Sequence, residues 1–393
     1  MKNIVIAGAV RTAIGSLRGS FADFSPVKLG SIAIKEAIKR AGLKPDQVDE
    51  VLMGCVLAGG HGQNIARQAA LMAGVPIGAP AMALNMLCGS GLRSVVDAAR
   101  IVALREANVV VAGGVESMSR AGYVLDKGRE GYGYGNGELV DLILRDGLTC
   151  AINNVHMGVT AENVAETYGI SRADQDKFSW ESQQKTAKAI ESGRFKDEIV
   201  PVEIPQKRGP AVMFSKDEYP KPGTALEKLG TLRTVFKKDG TVTAGNASGI
   251  NDGAAAVLVM AQETANDLGV KPLVRIRGYA YAGVDPALMG MGPVDAVKKL
   301  LEKQELTIKD IDLIEANEAF AAQSLAVARQ LGFDPAKVNV NGGAIALGHP
   351  IGASGTRILV TLIHEMKKRK SKLGIATLCV GGGMGIAMLV ENI

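Results

Sequence analysis

The chain of 393 residues repeats itself at a fixed distance. The run Ala33-Ile-Lys-Glu-Ala-Ile-Lys-Arg-Ala-Gly-Leu43 continues through Val48 to Val51. It returns 263 positions later as Ala296-Val-Lys-Lys-Leu-Leu-Glu-Lys-Gln-Glu-Leu306, continuing through Ile311 to Ile314. In both copies apolar residues recur at helical spacing, a short turn follows, and β-branched residues open a strand. Ser90-Gly-Leu-Arg93 then returns 264 positions on as Ser354-Gly-Thr-Arg357, and each opens an apolar helix, Ser94 to Val102 and Ile358 to Ile363. A strand ending in glycines follows each helix, Val109 to Gly114 and Ile375 to Gly382. Matching order over three elements restricts the chain to two α/β halves packed side by side, each a mixed sheet covered on both faces.

The halves leave a middle segment unexplained. The first half spans 1–120 and is completed by 248–270, where the turn-rich Gly245 to Gly253 leads back to a strand, Ala254 to Met260. Residues 271–393 form the second half. Between them, 121–247 has a different texture, rich in Gly and Tyr, with helices expected over Thr160 to Tyr168 and Ala173 to Ser192. It reads as an inserted loop domain.

Bulk numbers exclude several classes. Apolar residues make up 47% and charged ones 22%, as in ordinary globular enzymes. The net charge of +5 has no basic block behind it except Lys367 to Lys370, a solvated helix end, so no nucleic-acid partner is expected. No apolar stretch approaches the ~20 residues of a membrane span. The four cysteines show neither C-x-x-C pairs nor zinc spacing, which predicts no metal and free thiols in a reducing cytoplasm.

Two of those cysteines stand out by position. Cys88 lies in Asn85-Met-Leu-Cys88-Gly-Ser-Gly-Leu-Arg93, just ahead of a helix whose N-terminal dipole and free N–H groups are expected to lower its pKa. Cys379 opens Cys379-Val-Gly-Gly-Gly-Met-Gly385, and His349 sits in Gly342 to Pro350. A thiol nucleophile with an imidazole and a second thiol for proton transfer points to thiol-based acyl chemistry. By residue type alone Asn317 reads as an N-cap for a helix over Glu318 to Gln330, and Ser248 as a turn residue.

These segments, with His156-Met-Gly-Val-Thr-Ala-Glu162, Gly245-Asn-Ala-Ser248-Gly-Ile-Asn-Asp-Gly253 and Asn317-Glu-Ala-Phe320-Ala321, resemble the thiolase family, and more closely its short-chain biosynthetic branch. The resemblance covers essentially the whole chain. It implies a duplicated α/β fold with a five-layered α-β-α-β-α core, a loop domain holding coenzyme A, and a homotetramer. The implied reaction is the reversible Claisen condensation of two acetyl-CoA to acetoacetyl-CoA and CoA through an acetyl-cysteine, with no cofactor beyond the substrate's own coenzyme A. Cys88 is implied as nucleophile, His349 as acceptor of its proton and Cys379 as the base for the second acetyl group. One oxyanion site is implied at His349 with a water held by Asn317, the other at the backbone N–H groups of Cys88 and Gly381. His156, Met157, Lys221, Phe236, Ser248, Met289 and Phe320 are implied around coenzyme A and the acyl group. Lys221 stands where relatives often place an arginine, and Cys150 and Ile152 also depart from the pattern. Competing readings are a longer-chain degradative thiolase, a decarboxylating synthase, which has no use for Cys379, and a non-catalytic acyl-CoA carrier.

Overall fold

The computed structural model describes residues 3–393, so residues 1 and 2 of the first expected half lie outside it. Among the described residues the main sheet has eleven strands, nine of which form its continuous run: β1 (Ile4–Thr12), β2 (Glu50–Gly54), β3 (Ala81–Leu84), β4 (Val109–Ser117), β5 (Asn251–Ala261), β6 (Val274–Gly283), β7 (Leu313–Ala316), β8 (Leu373–Val380) and β9 (Met384–Asn392). Their order is β7-β8-β9-β6-β1-β5-β4-β2-β3. Pairing repeats outward from the middle: β6, β9 and β8 are antiparallel neighbours and β7 adds parallel, as β1, β5 and β4 are antiparallel and β2 adds parallel. Within the sheet the halves pair, among the described residues, at Val5 with Arg275 and Ile6 with Val274. Where β3 flanks β2, the second copy keeps a single parallel bridge between Ile314 and Val338.

Helix α1 (Pro26–Arg40) begins where Ser25 accepts a hydrogen bond from the Lys28 N–H and Pro26 presets the first turn. The repeated run shows itself only from Ala33, because the start signal lies upstream of the apolar pattern. α1 covers one face of β1, β4 and β5, and α2 (Ile65–Met72) extends that layer over β2 and β3; Leu29, Ile34 and Ile38 are buried there, each contributing roughly 1.5–3 kcal/mol. Helices α3 (Ser90–Leu104), α4 (Met157–Thr167), α5 (Arg172–Glu191), α6 (Gly292–Lys303), α7 (Ala321–Leu331) and α8 (Ile351–Arg369) follow. Leu92, Val95, Ile358 and Leu362 of α3 and α8 fill a second core, between Ile6 and Val257 of one half and Leu378 and Met388 of the other. Val297, Leu300 and Val327 of α6 and α7 close a third core over Ile375 and Leu389. Outer helices, half-sheet, central helices, half-sheet and outer helices make the five layers.

The inserted segment leaves β4 at Ser117 and returns at Asn251, and Ser117 pairs with Asp252. It contains α4, α5 and three two-stranded ribbons, one of which pairs Thr149–Cys150 with Val155–His156. No helix among the described residues is long and apolar enough to cross a membrane.

Candidate active site

The two central helices cross at glycines. A Cβ on Gly355 would stand 2.3 Å from the Leu92 nitrogen, and one on Gly91 2.8 Å from the Thr356 nitrogen. The Thr356 hydroxyl donates to the Gly91 carbonyl at 2.8 Å. Helix backbones in near contact bring together what precedes each helix. Cys88 precedes α3 and His349 precedes α8, and His349 Nε2 lies 3.3 Å from Cys88 Sγ. The repeat in the sequence is thus the device that assembles the pair.

Local features hold each partner. Leu87 adopts φ +49°, unusual for a non-glycine residue, and turns the chain so that Cys88 faces inward. Ser90 stabilises this turn, its hydroxyl accepting from the Met86 N–H at 2.8 Å and donating to the Leu87 carbonyl at 2.6 Å. The His349 N–H donates to Asn251 Oδ1 at 2.9 Å, and Asn251 Nδ2 donates to the Gly15 carbonyl. Glu318 accepts from Ser182, Asn339 and the Ile345 N–H, fixing the loop that leads to His349. Glu116 accepts from Val56, Leu57 and Gly352 N–H groups and anchors the start of α8.

The expectation of a lowered Cys88 pKa fails. Burial pushes the thiol up to about 11, outweighing the N–H groups of Gly381 and of Cys88 itself, which stabilise the thiolate. Burial and then the Arg357 charge push His349 down to about 3. The pair is therefore a neutral thiol beside a neutral imidazole. Convergence of the Cys88 and Gly381 N–H groups on the sulfur also places two donors where a thioester oxygen would sit after attack.

Cys379 is fully buried at the end of β8, packed in one cluster with Met157, Met289, Ala319 and Phe320. Its thiol is pushed well above its ordinary range by burial, and ionisation of Cys88 would push it further, so the two sulfurs feel one another. Asn317 is not a helix cap: α7 starts at Ala321, and the Asn317 N–H donates instead to the Thr377 carbonyl. Its side-chain nitrogen lies 3.5 Å from His349 Nε2, and its buried Oδ1 has no partner among the described residues. An acceptor buried in that way fits an ordered water.

Above the pair opens a cavity of about 490 Å³. Cys88, His349, Gly381, His156, Met157, Phe236, Ser248, Met289 and Phe320 all line it, together with Tyr219, Leu148 and Val235. Phe236 stacks on His156 at 4.6 Å and meets Phe320 edge-on at 6.4 Å. Only a glycine at 158 admits that ring, since a Cβ there would lie 2.2 Å from it. His156 Nδ1 accepts from the Gly158 N–H and burial lowers its pKa, so its Nε2–H is left as a donor. Lys221 does not line the cavity; its ammonium sits 5.3 Å from the centre of the Tyr219 ring, at the outside. Cys150 is buried with the Cys379 cluster, and Ile152 is exposed.

Sequence reasoning missed Ser354, Asn251, Glu116 and Tyr219. The first two lie inside motifs already singled out, where a repeated serine and a glycine-flanked asparagine were visible. Glu116 and Tyr219 act through contacts across 236 and 30 positions, with Gly352 and Gly249, which no local pattern reveals.

Fold and site together are those of the acyl-transfer class of enzyme, with a cysteine thiol in contact with a histidine beneath an apolar cavity. The chain belongs to the thiolase family: residues 4–263 match the thiolase N-terminal domain and residues 270–392 the thiolase C-terminal domain. An acetyl-CoA acetyltransferase of Escherichia coli is 58% identical over 394 residues, covering 100% of both chains. That of Chromobacterium violaceum is 55% identical over 389 residues, 99% of each. The crystal structure of the Bacillus anthracis acetyl-CoA acetyltransferase matches with a TM-score of 0.98 at 47% identity, covering 100% of this chain and 99% of that one. Human mitochondrial 3-ketoacyl-CoA thiolase in complex with CoA matches with a TM-score of 0.96 at 42% identity, covering 100% and 98%.

Proposed function

We propose that the chain is an acyltransferase that condenses two acetyl-CoA molecules reversibly to acetoacetyl-CoA and CoA through S-acetyl-Cys88. The 3.3 Å contact between His349 Nε2 and Cys88 Sγ, at the floor of a cavity with Cys379 behind it, carries this reading. The Cys88 proton passes to His349 as sulfur attacks the first thioester, and the oxyanion meets the Cys88 and Gly381 N–H groups. Collapse expels the CoA thiolate, which takes the Cys379 proton. The imidazolium on His349 stabilises the Cys379 thiolate left behind. That thiolate removes the α-proton of the second acetyl-CoA, whose enolate oxygen is held by the His349 Nε2–H and a water on Asn317. The enolate carbon attacks acetyl-Cys88, and the released Cys88 thiolate recovers its proton from His349. Protons and charges return to their starting places.

Met157, Met289 and Phe320 crowd the space over Cys379 and favour acetyl over long acyl groups, at ~1–3 kcal/mol per methylene refused. His156, Phe236 and Ser248 line the approach for the pantetheine arm, while Lys221 can meet the nucleotide phosphates only outside the cavity. Mass spectrometry of the protein after acetyl-CoA tests the reading: one acetyl group on Cys88 is expected, and an unmodified Cys88 rejects it. Likeness to a 3-ketoacyl-CoA thiolase favours one alternative, a preference for longer chains, and faster thiolysis of a 3-oxo C8 substrate than of acetoacetyl-CoA would establish it. Exposed Ile77, Met82, Tyr134 and Leu139 support self-assembly, with a tetramer expected by sedimentation. The four free cysteines, two of them reactive, fit a reducing cytoplasm.

A further inference from the structure

The two serines of the repeated Ser-Gly-x-Arg occupy equivalent places, one at each end of the Cys88–His349 contact. Ser90 holds the turn that presents Cys88. Ser354, fully buried in the first turn of α8, lies against the other face of the imidazole, with its oxygen 2.6 Å from His349 Nδ1 and 2.9 Å from the Pro350 carbonyl. We propose that Ser354 is a positioning residue that holds His349 in the tautomer protonated on Nδ1, leaving Nε2 free to accept the Cys88 proton.

Donor counting carries this. The Ser354 hydroxyl donates its single proton to the Pro350 carbonyl, which also accepts from the Ala353 and Ser354 N–H groups and has no proton to give back. Ser354 then meets Nδ1 with a lone pair, and Nδ1 must bring the hydrogen. A neutral imidazole has one such hydrogen, so Nε2 carries none. Its lone pair faces two donors, the Cys88 thiol at 3.3 Å and the Asn317 side-chain nitrogen at 3.5 Å. In the opposite tautomer Nε2 would point a hydrogen at the Cys88 sulfur and offer no lone pair to take the thiol proton. The inference rests on the reading of His349 as the base for Cys88, and it adds the group that makes that base competent.

The test uses the full-length protein labelled with ¹⁵N-histidine, with the His349 resonances assigned by their loss in His349→Gln. Wild type is expected to show a protonated Nδ1 and an unprotonated Nε2 at neutral pH. A wild-type ring protonated on Nε2 overturns the proposal, and that measurement requires no serine variant to fold. In Ser354→Ala the ring is expected to become a mixture of tautomers and alkylation of Cys88 by iodoacetamide to slow by about 10- to 100-fold. Ser354→Thr, which keeps the hydroxyl, restores the rate. A folded Ser354→Ala with wild-type tautomer and alkylation rate also overturns it. Failure of the functional reading looks different: Cys88 not acetylated by acetyl-CoA, while the ring keeps its Nδ1 proton.

Discussion

A thiol pushed up to about 11 beside an imidazole pushed down to about 3 fixes how the site responds to pH. His349 loses its base function only as pH falls through its own folded value, so acidification from pH 8 to 5 leaves it neutral. Iodoacetamide alkylation of Cys88 should therefore rise with pH toward about 11 and show no step between 6 and 7. A step there that disappears with His349 would refute the neutral pair. Removing the base altogether, as His349→Ala, should lower kcat for acetoacetyl-CoA thiolysis by about 10²–10⁴ with little change in KM. At this scale the sequence showed which residues meet better than it showed their state. Cys88 was found from its place before a helix, but the dipole argument omitted desolvation, which depends on its packing against Val56, Leu57, Met118 and Ile351 from distant parts of the chain. Asn317 was legible as polar and special. Its work as a neighbour of His349 and not a cap depends on a contact 32 residues away.

Among elements, the crossing of α3 and α8 decides whether a site exists. Gly355→Ala must push the helices apart, since its Cβ would meet the Leu92 nitrogen at 2.3 Å, and this is backbone that cannot swing aside. Overpacking of that kind costs about 1–3 kcal/mol or more and widens the Cys88–His349 gap. The expected result is a lowered melting temperature together with slower Cys88 alkylation in whatever folds. Gly122→Ala, at a glycine with nothing within 4 Å, is the control and should stay within about 0.5 kcal/mol of wild type. Equal behaviour of the two variants would remove the crossing from the account. The repeat made α3, α8 and the strands after them legible, yet the glycines of the first copy were misplaced. Gly113 and Gly114 do not end β4 but lie inside it, where a Cβ on Gly114 would stand 2.1 Å from the Gly352 carbonyl of α8. A glycine needed for close approach reads in sequence like a glycine needed for a turn.

Across the whole molecule the duplication is broken where function needs it, and the arginines of the repeated motif show this. Arg93 sits at the surface, bonded to Asp97 at 2.8 Å and over the Tyr281 ring. Arg357, its counterpart, is buried with no hydrogen-bond partner for its guanidinium among the described residues, and Glu315 is 3.8 Å away. The same four-residue motif cannot say which copy will be covered by its neighbours, so this asymmetry was illegible. Burial pushes Glu315 up to about 8, against the pull of Arg357, so at pH 6 the carboxyl is protonated and the arginine charge is answered only by the more distant Glu198 and Asp217. Native Glu315 thus binds its proton more tightly than the unfolded chain does. Its contribution is complete at low pH and is lost as pH rises through about 8. Arg357→Met removes a buried charge without stranding another at pH 6, so stability there should be unchanged or higher, by up to about 1–4 kcal/mol. Without the arginine, Glu315 holds its proton to higher pH, and the alkaline loss of stability should extend upward with it. His349 loses the second of the two influences that keep it neutral, so the acid limb of kcat/KM should move up from about 3 toward the ordinary imidazole range. Melting curves at pH 6 and 9, with the acid limb measured on the same preparations, check the three effects together. A large loss of stability at pH 6 with an unmoved acid limb would mean that Arg357 is tied into the interior by bridging water and acts on the fold, not on the imidazole.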